Sequence, residues 1–146
     1  MNDGQKILYG NEVSEDYVKR YTNSHKNKDI DYRIGYAYYY ILDSIMDKKY
    51  SVMDIGAGTC GVYQDLKKVK KLIAVDGSKK MLDEAKKLLD SCSFKKVFVN
   101  KLYNEYFKYE EKVDVLRLGV YGSYLPLTKN IINHSLSFIK EGGISA

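Results

Sequence analysis

The sequence predicts an α/β domain built as three layers, α/β/α, around a doubly wound and mostly parallel sheet. Two observations carry this. Short apolar runs alternate with stretches of helical three-and-four spacing from about residue 31 onward, and the first run ends in a glycine cluster, Gly56-Ala57-Gly58-Thr59-Cys60-Gly61. Alternating strands and helices imply parallel strands joined by right-handed crossovers, with helices on both faces.

The elements read in order as follows. Residues 1–30 form a polar, lid-like segment in which Ser14 caps a short helix carrying Tyr17, Val18 and Tyr21. The run Asn23–Lys28 reads as a loop. A helix then places Ile34, Ala37, Tyr38, Ile41, Leu42 and Ile45 on one side and ends near Asp47-Lys48. Tyr50–Ile55 is the first strand and Leu72–Val75, closed by Asp76, the second. Met81, Leu82, Ala85, Leu88 and Leu89 mark the apolar face of the next helix. Val97–Val99 and Val113–Leu118 are strands three and four. Thr128–Lys140 reads as a helix stopped by Gly142-Gly143, and Ile144–Ala146 as the opening of a fifth strand.

The 146 residues suit a single domain, 1–146, whose core is residues 31–146. With 45% hydrophobic and 29% charged residues, the chain reads as globular and not disordered. No apolar run approaches the ~20 residues that span a bilayer, so no membrane partner is expected. The start, MNDGQKILYG, lacks the apolar core of a signal peptide. Cys60 and Cys92 form no CxxC pair and have no zinc-like spacing, so a reduced, cytoplasmic protein without a metal is expected. The formal charge of +5 comes from lysine doublets scattered among acids. They read as solvated helix ends before they read as a stripe for nucleic acid.

The chemistry concentrates at Val52–Gly61, where GxGxxG falls on a strand-to-helix turn. Glycine tolerates positive φ and lets a ligand approach the backbone, and the helix expected to follow would present free N–H groups. The pattern alone also suits dinucleotides. Asp54, two positions before Gly56, discriminates: a carboxylate repels a pyrophosphate but attracts the ammonium and sulfonium of S-adenosylmethionine. Asp76, 20 residues after Gly56, is placed to accept both hydroxyls of a ribose. The alternative is a glycine turn that merely packs, with Asp54 serving a helix dipole.

DIGAGTCG followed by LIAVDGSKKMLDEAKKLL is similar to motifs I and II of the class I S-adenosylmethionine-dependent methyltransferases, which share a Rossmann-like fold. The resemblance implies S-adenosylmethionine as cofactor. It implies that Asp54, Ile55, Gly56, Ala57 and Gly58 wrap the methionine moiety, that Asp76 binds the ribose and that Gly77 borders the adenine. Leu118, at the end of strand four, completes the cofactor-facing set. Arg33 or Tyr21 is in reach of the donor's carboxylate on this reading, with an ordinary surface charge the better account of Arg33.

Two features depart from the family. Many members carry an acid after strand three, where this chain has Val99-Asn100-Lys101; the Asn100 carbonyl could replace it, and a plain turn residue is an equal reading. The family's sheet has seven strands, whereas this sequence ends as strand five begins. A fragment of a longer protein is the expectation, with a partner or second copy at an open sheet edge beside strand four as the alternative.

Methyl transfer asks mainly for positioning and exclusion of water, and no catalytic residue is assigned. Tyr121 and Tyr124, after strand four, are the candidates to line an acceptor pocket. His134 reads as structural, and Cys60 as badly placed for nucleophilic work. The Asn/Asp-Pro-Pro-aromatic and Pro-Cys motifs of nucleic-acid methyltransferases are absent. A small-molecule acceptor is therefore the first reading. An RNA or protein methyltransferase, or a non-catalytic partner-binding relative, are the alternatives.

Overall fold

The computed structural model describes residues 14–119 and 128–145. Helix α1, Glu15–Asn27, begins where the Ser14 hydroxyl accepts the Tyr17 amide, supplying an acceptor that the first turn lacks. It runs through Asn23–Asn27, where the sequence suggested a loop, and stops at Lys28 with φ 48°. Asn23, Lys26 and Asn27 are exposed there, so their weak helix propensity is overridden by the turn of helix already built against Val18 and Met81.

Helix α2, Ile30–Ile45, is capped by Asp29, whose Oδ1 accepts the Tyr32 amide at 2.9 Å. Its inner face keeps only part of the expected stripe: Tyr38 and Leu42 pack against the core, whereas Ala37 is exposed. Tyr32, Tyr39 and Asp43 are buried, whereas Ile41 and Ile45 are 61% and 64% exposed. Both stripes have helical spacing. The tyrosine stripe wins because its hydroxyls meet partners in the domain: Tyr39 reaches Asp54, and Tyr32 and Tyr40 reach Asp65. Asp43 is equally engaged, accepting the Tyr50 hydroxyl and the amides of Lys67 and Lys68.

Five strands follow: β1 Tyr50–Ile55, β2 Val69–Asp76, β3 Lys95–Asn100, β4 Val113–Leu118 and β5 Ile139–Ser145. They are all parallel, in the order β3-β2-β1-β4-β5. Helix α3, Lys79–Leu88, is capped by Ser78, and helix α4, Lys129–Leu136, by Thr128. One face of the sheet packs Val52, Leu72 and Ala74 against Tyr39, Tyr63, Leu82 and Leu89. The other packs Met53, Ile73, Val75 and Leu116 against Tyr103, Phe107, Ile131 and Phe138. This is the three-layer arrangement. Among the described residues no helix is long and apolar enough to cross a membrane.

The C-terminal part differs from expectation. The helix ends at Leu136, and Ile139 and Lys140 already belong to β5, which runs through both glycines to Ser145. The register between β4 and β5 slips between Val113 and Val115. A Cβ on Gly143 would stand 2.8 Å from the Asp114 carbonyl oxygen and 2.9 Å from that of Lys140, and Gly142 has φ 78°. The glycine pair therefore builds a bulge in a strand and does not cap a helix. It follows that β4 is no edge strand: β5 covers it, and residues 140–145 of β5 are exposed.

Candidate functional site

The chain leaves β1, builds β2 and β3 on one side, then returns to lay β4 on the other side of β1. The sheet order reverses between β1 and β4, and in open α/β sheets ligands settle outside the carboxyl ends of the strands at such a point. The glycine loop lies there. Gly56 and Gly58 have φ of 74° and 61°, conformations that a side chain disfavours. The Gly56 and Ala57 amides both donate to the Val75 carbonyl, at 2.8 and 3.2 Å, clamping the loop to the end of β2.

Asp76 ends β2 and organises the same corner. Its Oδ2 accepts the Gly58 amide and its Oδ1 the Ser78 amide, both at 2.8 Å. Gly77 lies between them, half-buried, where α3 begins. Asn100 sits beside Asp76 across the β2–β3 ladder, and its side-chain amide donates to the Asp76 carbonyl at 3.1 Å. That bond leaves its side-chain carbonyl as the acceptor end. Leu118 stands opposite Ile55 at the end of β4, half-buried against the second core, while the Ile55 side chain is wholly core. Tyr121 and Tyr124 lie outside the described residues. Arg33 is exposed, its Nε donating to the Lys28 carbonyl.

No α-helix follows the glycine loop. Cys60, at φ 58°, leads into a single 3-10 turn, Gly61–Gln64. The Tyr63 and Asp65 amides are bonded within it, to the carbonyls of Cys60 and Val62. The turn is too short to offer the free amides and dipole that the sequence reading placed there.

Asp54 has partners that the sequence did not reveal. It is 0% exposed. Its Oδ2 accepts the Tyr39 and Tyr63 hydroxyls at 3.0 and 2.8 Å, and its Oδ1 accepts Arg117 Nη1 at 3.0 Å. Arg117 also donates from Nε to the Tyr38 hydroxyl, with its guanidinium carbon 5.7 and 5.0 Å from the ring centres of Tyr38 and Tyr39. Burial by itself would lower the Arg117 pKa. The Asp54 charge and the tyrosine hydroxyls more than offset this and raise it, so the side chain stays a cation. Burial, reinforced by the Asp54 charge, holds the Tyr39 and Tyr63 hydroxyls well above their ordinary range, so both remain donors. The same burial, with Asp54 and Asp76 nearby, pushes the Cys60 thiol up and keeps it from being a nucleophile at neutral pH.

Arg117, Tyr38, Tyr39 and Tyr63 were not singled out from the sequence as a group. A signal was present: Arg117 interrupts an otherwise apolar strand end, and a charge so placed needs a partner of opposite sign. His134 fills a structural place, its Nε2 2.7 Å from the Phe107 carbonyl and its ring edge-on to Phe138. Among the described residues no cluster of His, Cys, Asp and Glu is arranged to hold a metal ion. A groove of about 490 Å³ opens at the opposite end of the sheet. Its lining mixes Lys48, Lys49 and Lys70 with Asp114 and Glu141.

No protein-family model matches this chain, and no curated protein matches it in sequence. Solved structures do match in architecture. An S-adenosylmethionine-dependent methyltransferase from Clostridium acetobutylicum superposes with a TM-score of 0.60 at 19% identity, over 90% of this chain and 56% of its own. The DhpI–SAM–HEP complex gives 0.58 at 16%, over 99% and 65%. The ribosomal protein L11 methylase of Lactobacillus delbrueckii subsp. bulgaricus gives 0.53 at 16%, over 72% and 54%.

The fold is that of the S-adenosylmethionine-dependent methyltransferases.

The chain spans just over half to about two thirds of the length of these three methyltransferase-fold structures. At such identities the likeness is one of architecture. The glycine loop after β1 and Asp76 at the end of β2 stand at the carboxyl side of that shared sheet.

Proposed function

We propose that this chain binds S-adenosylmethionine over the carboxyl ends of β1 and β2, and that it is the cofactor-binding part of an enzyme that methylates a small molecule. The observation that carries the reading is Asp76. Its two oxygens accept the Gly58 and Ser78 amides, which fixes the carboxylate at the end of β2 beside the glycine loop, where the ribose would bind. Gly56 and Gly58 bring bare backbone to the same corner. Gly77 and the Asn100 carbonyl border the adenine, and Ala57 and Leu118 shape the floor, with Ile55 anchoring the loop from the core.

The cofactor supplies a methyl group already activated on a sulfonium. What the protein contributes is orientation of the acceptor and exclusion of water, with a general base needed only for an acceptor proton of high pKa. On the sequence reading, Tyr121 and Tyr124 are the candidates for the acceptor side. The small acceptor is favoured by the absence of an Asn/Asp-Pro-Pro-aromatic motif after β4 and by lysines dispersed over the chain.

Calorimetric titration with S-adenosylmethionine and with NAD, for the wild type and Asp76→Ala, tests the reading. Binding of the methyl donor that Asp76→Ala abolishes, with NAD inert, is the expected result. A folded chain that takes NAD instead, or whose binding of the donor is indifferent to Asp76, would refute it.

A further inference from the structure

Of the Asp54–Arg117 pair, only the cation keeps exposed surface. Asp54 is wholly enclosed, whereas the side chain of Arg117 keeps 19% of its surface exposed. Arg117 lies on β4 at the reversal of strand order, paired in register with Asp54 on β1. Its guanidinium rides up past the end of the strand: a Cβ on Gly119 would collide with Nη1 and with the guanidinium carbon, so glycine is what lets the group lie there. Gly119 in turn donates to the Ile55 carbonyl at 2.8 Å, which fixes this spot level with the start of the glycine loop. Nη1 is held by Asp54 and Nε by Tyr38, and among the described residues no hydrogen bond engages Nη2. Tyr38 and Tyr39 rings flank the guanidinium and prevent it from swinging away.

We propose that Arg117 is an oxyanion-binding residue, its free edge receiving a carboxylate of the ligand held over the ends of β1 and β4. Asp54, Tyr38 and Tyr39 are its positioning residues. A guanidinium presents donors in a fixed fork that matches a carboxylate, and preorganisation by buried partners reduces the entropy lost on binding. The carboxylate can come from the amino-acid end of the methyl donor, which rests on the function proposed above, or from the acceptor. Both sources share one recognition chemistry.

The experiment has two arms. In the first, S-adenosylhomocysteine and methylthioadenosine, which lacks the amino-acid end, are titrated into wild type, Arg117→Lys and Arg117→Gln. If the donor supplies the carboxylate, Arg117→Gln weakens S-adenosylhomocysteine by about tenfold or more and leaves methylthioadenosine unchanged. In the second arm, acetate is titrated into the wild type with chloride as control, and the Arg117 Nε–H resonance is followed, assigned by its absence in Arg117→Lys. This arm needs neither a nucleoside nor a stable Arg117→Gln variant. A shift with acetate, together with equal nucleoside binding by wild type and Arg117→Gln, assigns the carboxylate to the acceptor. A chain that binds neither nucleoside but shifts with acetate keeps the anion site and rejects the methyl-donor reading. An Arg117 resonance unmoved by acetate, with both nucleosides weakened alike or not at all by Arg117→Gln, overturns the inference.

Discussion

Asp54 and Arg117 face each other across the β1–β4 ladder, and their side chains meet at 3.0 Å at the point where the strand order reverses. Each explains the other's burial. Removing one partner from such a pair strands an uncompensated charge and costs about 3–5 kcal/mol, whereas removing both can be nearly neutral. Arg117→Met and Asp54→Asn are each expected to destabilise strongly, and the double variant to recover most of the loss. Urea denaturation of the four proteins measures this; additive losses would show that the two side chains act independently.

Asp114 joins three strands through one carboxylate. Its Oδ2 accepts the Ser51 amide and hydroxyl at 2.8 and 3.0 Å, and its Oδ1 lies 3.4 Å from Lys140 Nζ. Burial pushes its pKa up, but the Ser51 bonds and the Lys140 charge outweigh this and hold it below the usual carboxylate value. A depressed folded pKa means that the contribution is complete above the unfolded pKa, about 3.9, and disappears as pH falls through the folded one. The stability gap between wild type and Asp114→Asn should therefore be constant near neutrality and close in acid. A gap that widens in acid would reverse the sign argued here.

A Cβ on Gly143 would meet the Ile139 side chain first and then two backbone carbonyls, which cannot move aside as a flexible side chain can. Gly143→Ala is expected to cost more than the ~1 kcal/mol usual for a point substitution, and to act locally. Hydrogen exchange should accelerate in β5 and spare β1 and β2. Protection lost evenly across the sheet would mean that the β4–β5 bulge is not the element under strain.

The outer face of α2 offers a control on which of its two stripes is the core. Ile41→Lys and Ile45→Lys are expected to shift stability by no more than about 0.5 kcal/mol. Tyr39→Phe, which deletes a hydroxyl that Asp54 accepts, should cost about 1.5–3 kcal/mol, as for a bond to a charged group. Thermal melts decide between them, and a large loss from either lysine would reinstate the isoleucine face.

The legible features were those set by neighbours in sequence. Ser14 announces its helix because a hydroxyl just before an apolar pattern satisfies the first free amides, and it does so in the structure. Tyr50–Ile55 and Val113–Leu118 could be read as strands from composition alone. What escaped depends on partners remote in sequence. On α2 the tyrosines and isoleucines have equal periodicity, and only Asp54 and Asp65 decide which face turns inward. Ile139–Ser145 has a glycine pair that could stop a helix, and only the close passage of Asp114 makes it a bulge. In the candidate site, the glycine turn and Asp76 were visible as a local motif, but the enclosure of Asp54 was not, since Arg117 arrives 63 residues later.

That separation has a consequence for how the chain acquires its shape. Before β4 docks, β1 has a paired neighbour on one side only, and the Asp54 carboxylate has no cation. The hairpin-free order of parallel strands makes every pairing a long loop closure, and the longest, β1 to β4, completes the centre of the sheet. On a ribosome releasing the chain from its amino end, residues up to Asn100 emerge with only the Tyr39 and Tyr63 hydroxyls to meet the carboxylate. Collapse of the central layer must then wait for Arg117 to clear the exit tunnel, which makes β4 the latch of the folding reaction.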